Sequence, residues 1–586
     1  MVQPQQQGLT GLGKVVVALV VLGMIGIAGY MLSKDKKKAP PTPADTKKDQ
    51  ENITGFNKPT DPKGPEAPDL TGVTVVKEYQ YVAASRMPQV KAGAVSGYKW
   101  DAATKTFKFP INVWIGWMPI IAANHGSKAN DESVFFKKYG FRVELVLVDD
   151  PVACRDGYVS GDWPILWGTL DMMVLFSEGV MKDSRTAPRI CQQIDWSNGG
   201  DGIVVRDSIK EVKDLKGKTI VYAQNSPSQY YVNALLLYAG IQPGEVNHKY
   251  TNTAFEASAA FVADPKIDAC VSWAPDIYNI PERVKGTKLL SSTQDANKLI
   301  ADVWAVRADF AKDHPEIVKG LVEGIFEGMR TVKKDPAQAF KWLADMYGMT
   351  PEEVSKMQYD AHLTNFAENW QFFMNQNNPT NFERTWNSVK YVYRKLGIVD
   401  NPANFDQVMD FSVLKEINAA GTFKEDIDEY VAAFTPRLSG TSSGGAEAPI
   451  LTNTIRISFY PNSDNIWEKA RDEYGNIIAD KMYDPMAEAT LAQVAKLAAQ
   501  FDAAYVKVVG HTDGSMKGKV GAEQVKDLSR RRAEAVKRAL VEKWKFNPDK
   551  FTVEGAGWDQ PADENDQNNH ALNRRFEITI LQPEAK

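Results

Sequence analysis

Aromatic and hydroxyl side chains follow several predicted strands in the middle of the chain, at the positions where an open α/β sheet binds its ligands. Trp117 follows the first of these strands, Thr169 a later one, Ser226 and Ser228 the next, and Trp273 the last. Aromatic walls and a hydroxyl-rich helix N-terminus suit a small solute, and the free amides at that N-terminus favour an anionic group on it. A structural alternative stays open, because Ser-Pro often only starts a helix and a Trp at a strand end often only packs.

The sequence offers no chemistry for catalysis. We find no nucleophile with a base at motif spacing, and the six histidines form no metal-binding pattern. Cys154, Cys191 and Cys270 are too widely spaced for a CxxC zinc site, and three cysteines allow at most one disulfide. The expectation is a binding protein that is not an enzyme and that uses no metal or other cofactor.

The elements that position these residues follow a βαβ pattern. Short β-branched runs alternate with helical patterns over residues 73–437, which predicts a mainly parallel sheet. The predicted strands are 111–117, 142–148, 218–223 and 268–273. One helix should have Ser226 as its N-cap and Pro227 in its first turn and end at Gly240, and the pattern becomes helical from residue 308 onward.

Length and composition agree with several packed domains. The 586 residues predict about three or four folding units, and 43% apolar with 24% charged residues is typical of globular protein. A net charge of −5 provides no field for a polyanion, so nucleic acid is excluded as a partner.

The N-terminal region predicts a membrane anchor. A tail, 1–13, precedes a span, 14–33, that includes 18 consecutive uncharged residues, enough to reach about 27 Å as a helix. A cleaved signal peptide is the alternative. Four lysines follow the span and one precedes it, which by itself favours a cytoplasmic body. The next segment, 34–72, is rich in Pro and Lys and predicts an extended linker.

The middle region resembles the substrate-binding proteins of the nitrate, taurine and alkanesulfonate class of ABC importers, over about 300 residues. The motifs are Gly116-Trp117-Met118-Pro119, Val148-Asp149-Asp150-Pro151, the segment from Asp195 to Val205, the segment from Val212 to Lys218, and the helical tail. The resemblance implies two α/β lobes hinged around a cleft that closes on a solute. The same scaffold includes pyrimidine-synthesising enzymes with a cysteine cluster, which the three scattered cysteines argue against. The candidate solute-binding residues are Trp117, Thr169, Asp201, Ser226, Ser228, Gln229 and Trp273.

A Gly/Ser-rich linker, 438–449, leads to a compact α/β unit, 450–586. Strands are predicted at 455–459, 505–509, 551–555 and 575–580, with a helix over 487–501 and a second one around Ala533. At its motifs this unit resembles the OmpA-like peptidoglycan-binding domain. The motifs are Gly510-His511-Thr512-Asp513, Leu528-Ser529-Arg530-Arg531-Arg532-Ala533, Gly555-Ala556-Gly557 and Asn573-Arg574-Arg575-Phe576.

The resemblance implies recognition of the diaminopimelate side chain in the peptidoglycan stem. Asp513 would pair with the ammonium and Arg532 with the carboxylate, while Asn573 and Arg574 border the same pocket. The sequence departs from the family after Asp513 and before Leu528, and the intervening stretch is a few residues longer than usual. The alternative is that Asp513 caps a helix and Arg532 forms an ordinary surface pair. His511 is expected to be structural.

The predicted fold class is α/β, a two-lobed periplasmic-binding-protein fold plus a smaller OmpA-like domain, with one N-terminal transmembrane helix. Because peptidoglycan lies outside the cytoplasmic membrane, the body is expected in the periplasm on an inner-membrane anchor. The first hypothesis is a wall-bound solute-binding protein. The second is a structural or motor-associated subunit whose binding-protein domain docks a partner protein. Ion-driven stators carry an Asp in the membrane segment, and residues 15–32 have no ionisable group, so a motor role would need a membrane partner.

Overall fold

The computed structural model describes residues 72–91, 93–148, 150–429, 449–472 and 474–582. The predicted membrane span at 14–33, residues 34–71 of its linker and residues 438–448 of the second linker lie outside the described residues. Within the described ranges, no helix is both long enough and apolar enough to cross a membrane.

The middle region contains eleven described strands and fifteen described helices. Its strands are β1 (Thr106–Ile111), β2 (Arg142–Leu147), β3 (Ile165–Thr169), β4 (Pro188–Ser197), β5 (Asp201–Arg206), β6 (Thr219–Ala223), β7 (Asn247–Thr251), β8 (Ala269–Trp273), β9 (Thr287–Ser292), β10 (Ala301–Arg307) and β11 (Ala361–Leu363). Its helices are α1 (Met118–Asn124), α2 (Val134–Tyr139), α3 (Pro151–Ser160), α4 (Leu170–Val180), α5 (Pro227–Tyr238), α6 (Ala254–Ala263), α7 (Asp276–Arg283), α8 (Ala308–Asp313), α9 (Pro315–Lys334), α10 (Pro336–Tyr347), α11 (Pro351–Met357), α12 (Phe366–Met374), α13 (Phe382–Lys395), α14 (Phe405–Val408) and α15 (Ser412–Ala420).

These strands form two lobes. The first lobe holds the parallel pair β1-β2 and a sheet of order β11-β4-β10-β3, and the second lobe holds a sheet of order β7-β6-β8-β5-β9. From β1 onward, the described chain passes between the lobes twice, through the first crossover, residues 198–200 after β4, and the second crossover, residues 293–300 after β9. The segment before β1 also joins the lobes, since Val82 pairs with Tyr250 of β7 and the Tyr98 amide donates to Asp309 of α8. Two crossovers side by side are the usual construction of a hinge.

The predicted strands at 142–148, 218–223 and 268–273 are confirmed to within one residue. The strand predicted at 111–117 is wrong, because β1 ends at Ile111 and Ile115–Trp117 form a 3₁₀ turn that leads into α1. Pro119 fits the first turn of a helix, and so the apolar run continues as helix rather than strand. The sheets are not mainly parallel, since the pairs of the β11-β4-β10-β3 sheet are all antiparallel and β5 runs antiparallel to both of its neighbours in the second-lobe sheet.

Helix α5 begins and ends as its sequence predicts. Ser226 is the N-cap residue and Pro227 opens the helix, while Gly240 follows the C-cap with a φ of +77°. The Ser226 hydroxyl donates to the Ala223 carbonyl at 2.8 Å instead of capping the helix. With 12 residues, α5 is a rod of about 18 Å.

The C-terminal domain, residues 449–582, is a four-stranded sheet of order β12-β17-β15-β16 with helices on one face, plus a separate hairpin. Its elements are β12 (Pro449–Ile455), β13 (Lys469–Arg471), β14 (Ile477–Met482), α16 (Ala487–Gln500), β15 (Tyr505–His511), α17 (Ala522–Trp544), β16 (Phe551–Gly557), α18 (His570–Asn573) and β17 (Phe576–Leu581). The predicted elements are confirmed except the strand at 455–459, since β12 ends where that strand was expected to begin.

Two motif glycines let α17 lie directly on the sheet. A Cβ atom at Gly510 of β15 would lie 2.2 Å from the Ser529 carbonyl oxygen, and one at Gly555 of β16 would lie 2.2 Å from the Lys526 carbonyl oxygen. Both neighbours are helix backbone and cannot turn aside. The glycines therefore set the distance between the helix that carries Arg532 and the strand that leads to Asp513.

Candidate functional sites

Six of the seven predicted solute residues are buried, and Trp273 is half-buried. Trp117 lies in the core of the first lobe, where its indole N–H donates to Asn112 Oδ1 at 2.7 Å and its ring packs on Phe109 at 6.0 Å. The structure therefore does not bring Trp117 together with the other candidates. Asp201 and Trp273 do meet, as directly opposed residues of β5 and β8.

Polar residues form a row across the first-lobe sheet where it meets the crossovers. Asp302 at the start of β10 lies opposite Thr169 at the end of β3 on one side and opposite Asp195 near the end of β4 on the other. All three side chains are buried. Asp201 follows across the first crossover, and its charge acts on Asp302 together with those of Asp195 and Asp171. We call Asp171, Asp195, Asp201 and Asp302 the aspartate cluster.

Burial and mutual repulsion raise the pKa values of this cluster. Burial raises the pKa of Asp201 to about 7, with the charges of Asp171 and Asp360 acting in the same direction. Burial raises the pKa of Asp302 well above its usual value, and the adjacent Asp195 carboxylate raises it further. The charged groups that act on these two carboxyls are other aspartates. The interior between the crossovers is therefore electronegative and favours protons or a cationic group.

Trp114, rather than Trp117, is the aromatic residue that reaches this site. Its indole N–H donates to Asp195 Oδ2 at 3.1 Å, and its ring occupies the space that a Cβ atom at Gly200 would need, at 2.4 Å. The Trp114 carbonyl accepts a hydrogen bond from the Tyr347 hydroxyl at 2.9 Å. Trp114 therefore connects the end of β1 to the first crossover.

The two crossovers are joined by a buried hydroxyl network. The Ser197 hydroxyl donates to Asp201 Oδ2 at 2.8 Å and lies 2.8 Å from Thr293 Oγ1. Thr293 Oγ1 also accepts from the Gly199 and Asp201 backbone amides, at 2.9 and 3.1 Å. Since Thr293 opens the second crossover, its side chain ties both strands of the hinge together.

The N-terminus of α5 faces the first lobe. Gln229 Oε1 accepts from the Asn225 amide at 2.7 Å, which holds the turn before the helix. The Ser228 hydroxyl is fully buried and has no hydrogen-bond partner among the described residues.

One turn further along α5, the Tyr230 ring contacts the ring of Tyr393 of α13 at 6.1 Å. The Tyr393 hydroxyl in turn donates to Asp171 Oδ2 at 3.0 Å. Burial raises the pKa of Asp171 to about 6, against the opposing effect of its hydrogen bonds. Tyr393 thus links helix α5 to the aspartate cluster.

In the C-terminal domain, Asp513 is buried and pairs with the exposed guanidinium of Arg574. Asp513 Oδ1 also accepts from the Ser515 amide at 2.9 Å, so that the carboxylate closes the turn after β15. Arg574 therefore occupies a position that an external ammonium would have to share.

Arg532 lies in the middle of α17 and is half-buried. Its Nε and Nη2 donate to the carbonyl oxygens of Ser463 and Tyr460 at 2.8 and 3.1 Å, and its guanidinium covers the Phe459 ring at 4.9 Å. Burial lowers the pKa of Arg532 to about 10, and the nearby positive charge of Arg574 acts in the same direction. Among the described residues no carboxylate forms a salt bridge with Arg532, although the charge of Asp464 acts on it and opposes the lowering of its pKa.

Asn573 has a structural role in the described geometry. Its Oδ1 accepts from the Ala562 amide at 2.7 Å, and its Nδ2 donates to the carbonyl oxygens of Asp566 and Asn569 at 3.0 Å each. Asn573 thereby holds the loop that adjoins Asp513, whose neighbour Gly514 donates to the Gln567 carbonyl at 2.8 Å. His511 is buried beside Glu577, at 3.7 Å, in keeping with the structural role expected of it.

Comparison with known proteins divides the chain in the same way. Residues 196–339 match the family model described as NMT1/THI5 like. The taurine-binding periplasmic protein of Escherichia coli is 26% identical over 250 residues, which are 42% of this chain and 72% of that protein. Residues 481–575 match the OmpA family model. The chain therefore resembles a substrate-binding protein over its middle region and an OmpA domain over its C-terminal region.

Omp38, an outer membrane protein of Acinetobacter baumannii, is 30% identical over 131 residues, which are 22% of this chain and 31% of that protein. The chain thus spans about a third of that relative. Two solved structures also align. The periplasmic aliphatic sulphonate binding protein SsuA from Escherichia coli has a TM-score of 0.41 and 16% identity, covering 52% of this chain and 91% of its own. The periplasmic nitrate-binding protein NrtA from Synechocystis PCC 6803 has a TM-score of 0.41 and 14% identity, covering 56% and 91%. The relative that matches the middle region is a periplasmic binding protein, which supports the expectation of a binding domain.

Sequence reasoning missed Asp195, Asp302 and Trp114. Asp302 is the second residue of β10, whose sequence is ADVWAVR, and a carboxylate at the start of a buried strand was the available sign. Trp114 was hidden by the wrong strand prediction at 111–117, which placed Trp117 at the strand end instead.

Proposed function

We propose that the protein is a membrane-anchored periplasmic solute-binding protein that also holds peptidoglycan through its OmpA domain. The observation that carries the proposal is the combination of a hinged two-lobed domain with the Asp513, Arg532 and Arg574 cluster in one chain. The two crossovers provide the hinge for closure on a solute, and the charge cluster provides a site for a zwitterionic side chain.

The aspartate cluster supports a solute with an ammonium group. An anion alone would meet repulsion from Asp195, Asp201 and Asp302, whereas an ammonium would let these carboxyls ionise. The N-terminus of α5, with the unpartnered Ser228 hydroxyl, suits an acidic group at the other end of the solute. The proposed solute class is therefore a small amino acid or aminosulfonate, of which taurine, bound by the Escherichia coli relative, is one example.

Diaminopimelate recognition by the OmpA domain rests on the charge pattern. Asp513 would accept the ammonium in place of Arg574, and Arg532 would turn its free guanidinium edge to the carboxylate. The anchor rests on the uncharged segment within 14–33, which precedes a linker long enough to let the body reach the wall.

Binding of a matched solute panel tests the solute class. Taurine carries an ammonium and a sulfonate, isethionate replaces the ammonium with a hydroxyl, and ethanolamine lacks the sulfonate. We expect taurine or a related aminosulfonate or amino acid to raise the thermal midpoint of the full chain. At a concentration of 100 times its Kd, the ligand should add about 2.7 kcal/mol to the free energy of unfolding. Asp201→Asn should remove this shift.

If isethionate binds as well as taurine, the ammonium assignment is wrong. If no compound among amino acids, aminosulfonates, oxyanions and pyrimidines shifts the midpoint or appears in native mass spectrometry, the solute-binding proposal fails, and a domain that docks a partner protein replaces it.

Fractionation tests the anchor, since deletion of residues 1–33 should move the chain from the membrane fraction to the soluble one.

A further inference from the structure

The OmpA domain docks on the hinge of the solute-binding domain. The described residues from 72 to 582 belong to one compact unit, and the segment between α16 and β15 lies against the second crossover. The Lys298 amide donates to the Gln500 carbonyl at 3.2 Å, and the Asp502 amide donates to Asn297 Oδ1 at 3.1 Å. Two backbone amides, one from each domain, are thus used in this contact.

A buried ion pair accompanies these hydrogen bonds. Lys298 Nζ lies 3.0 Å from Asp502 Oδ2, and the two side chains keep only 17% and 27% of their exposure. Lys550, which is almost fully buried, lies 3.7 Å from the same carboxylate and donates to the Phe501 and Asp502 carbonyl oxygens at 2.6 Å each. Asp502 therefore sits between a lysine of the hinge and a lysine of its own domain.

A second contact reaches the solute-binding helix. Tyr238 at the end of α5 donates its hydroxyl to Gln500 Oε1, and its carbonyl accepts from Asn453 Nδ2 of β12 at 2.7 Å. Gln582 Nε2 donates to the Leu290 carbonyl of β9 at 2.9 Å. The OmpA domain thus holds the second lobe at α5 and β9 as well as the crossover between the lobes.

Two rigid elements connect the two proposed binding sites through this contact. Helix α5 runs about 18 Å from Ser226 and Ser228 at the solute end to Tyr238 at the interface. Strand β15 begins five residues after Gln500 and ends at His511, two residues before Asp513. Any rotation of the lobes that moves the second crossover must therefore either carry the OmpA domain with it or break the contact.

We propose that the contact of Asn297 and Lys298 with Gln500 and Asp502 couples wall binding to lobe closure, so that peptidoglycan bound at the OmpA domain changes the solute affinity. Linkage requires the effect to be reciprocal, with solute changing the affinity for peptidoglycan by the same factor. This inference rests on the proposed function at both sites. It makes the protein a solute-responsive wall attachment rather than two independent binding modules.

The full chain and its Lys298→Met variant test the coupling. Methionine keeps the length of the side chain and leaves Asp502 with Lys550, so the OmpA domain should still fold. Lys285→Met, on an exposed lysine of the second lobe, is the matched control. Calorimetry should show the lobes and the OmpA domain of the wild type unfolding together, and two separated transitions in Lys298→Met with Asn297→Ala. Unchanged unfolding of this double variant would overturn the coupling whether or not any ligand binds.

Hydrogen exchange with a soluble diaminopimelate-containing muropeptide gives the second measurement. Binding to the wild type should change exchange in residues 293–300 about 10-fold, a typical size for coupling between sites. Lys298→Met should bind the muropeptide within about twofold of the wild type, because it is outside the Asp513 site, yet show no change in 293–300. A wild type that binds without this change contradicts the coupling. A wild type that binds no muropeptide contradicts the proposed wall function and with it the coupling to wall binding, and calorimetry then shows only whether the two domains unfold together.

Discussion

Asp195 and Asp302 lie directly opposite each other in the antiparallel strands β4 and β10, where two like charges would repel. Both are buried, and burial together with mutual repulsion raises the pKa of Asp302 far above that of a free aspartate. Burial also raises the pKa of Asp195, to about 7. These shifts favour the protonated form of one carboxyl, and we expect the pair to share a proton.

Stability should fall as pH rises from about 4 to 7. The folded-state pKa values are raised, to about 7 for Asp201, so the folded protein binds more protons than the unfolded chain in this range. In Asp302→Asn, the amide N–H can donate to the Asp195 carboxylate, so neither side chain of the pair has to be protonated. We expect the variant to melt on the order of 3 °C higher than wild type at pH 7.5, with the difference vanishing near pH 5. Exposed Asp313→Asn is the control, and an equal change at both pH values would contradict the shared proton.

Trp114→Phe should destabilise the hinge in a pH-dependent way. The substitution keeps an aromatic ring beside Gly200 but removes the N–H that donates to Asp195. Loss of a hydrogen bond to a charged group costs about 2 kcal/mol, and protonation of Asp195 at low pH should reduce that cost. Urea unfolding at pH 7.5 and 5 measures it. Trp386→Phe, which removes an indole N–H that donates to the neutral Ala403 carbonyl at 2.9 Å, should show no such pH dependence.

Arg532→Ala should weaken retention on purified sacculi by at least about tenfold. The substitution removes a guanidinium that forms no salt bridge with a carboxylate among the described residues, and a charged hydrogen bond contributes about 1.5–3 kcal/mol. Arg531→Ala is the matched control, because Arg531 is adjacent on α17 but exposed and paired with Asp527. Sedimentation of the protein with sacculi at two salt concentrations measures retention. Equal retention of the two variants would show that Arg532 only supports the loop at Tyr460 and Ser463.

Gly510→Ala should unfold or loosen the OmpA domain. The added methyl would lie 2.2 Å from the Ser529 carbonyl oxygen, and relief requires α17 to move away from β15. Overpacking of this kind costs about 1–3 kcal/mol, and here the displaced neighbour is backbone. Circular dichroism melting of the full chain measures the loss. Gly521→Ala is the control, since its nearest neighbour is a Gln524 oxygen at 3.9 Å.

Local pattern predicted the regular elements well and the site poorly. Helix α5 could be predicted because Ser226, Pro227 and Gly240 act within one or two residues of themselves. The strand at 111–117 could not, since the apolar run from Ile111 to Trp117 suits a strand or a buried turn equally, and packing of α1 decided between them. Trp117 was therefore expected at the cleft, where Trp114 stands.

The sequence by itself determined that the chain has a two-lobed domain and an OmpA-like domain, and it provided Asp513 and Arg532 as candidate wall-binding residues. It did so because motifs and periodicity are properties of contiguous residues. It did not predict any contact between the two domains. Only the tertiary structure decided that Asp195 lies opposite Asp302, that Arg574 forms an ion pair with Asp513, and that Asp502 forms an ion pair with Lys298 of the hinge. Arg574 and Asp513 are 61 residues apart in the sequence, and Lys298 and Asp502 are 204 residues apart. The energies of these ion pairs depend on burial and charge, which no local sequence pattern encodes.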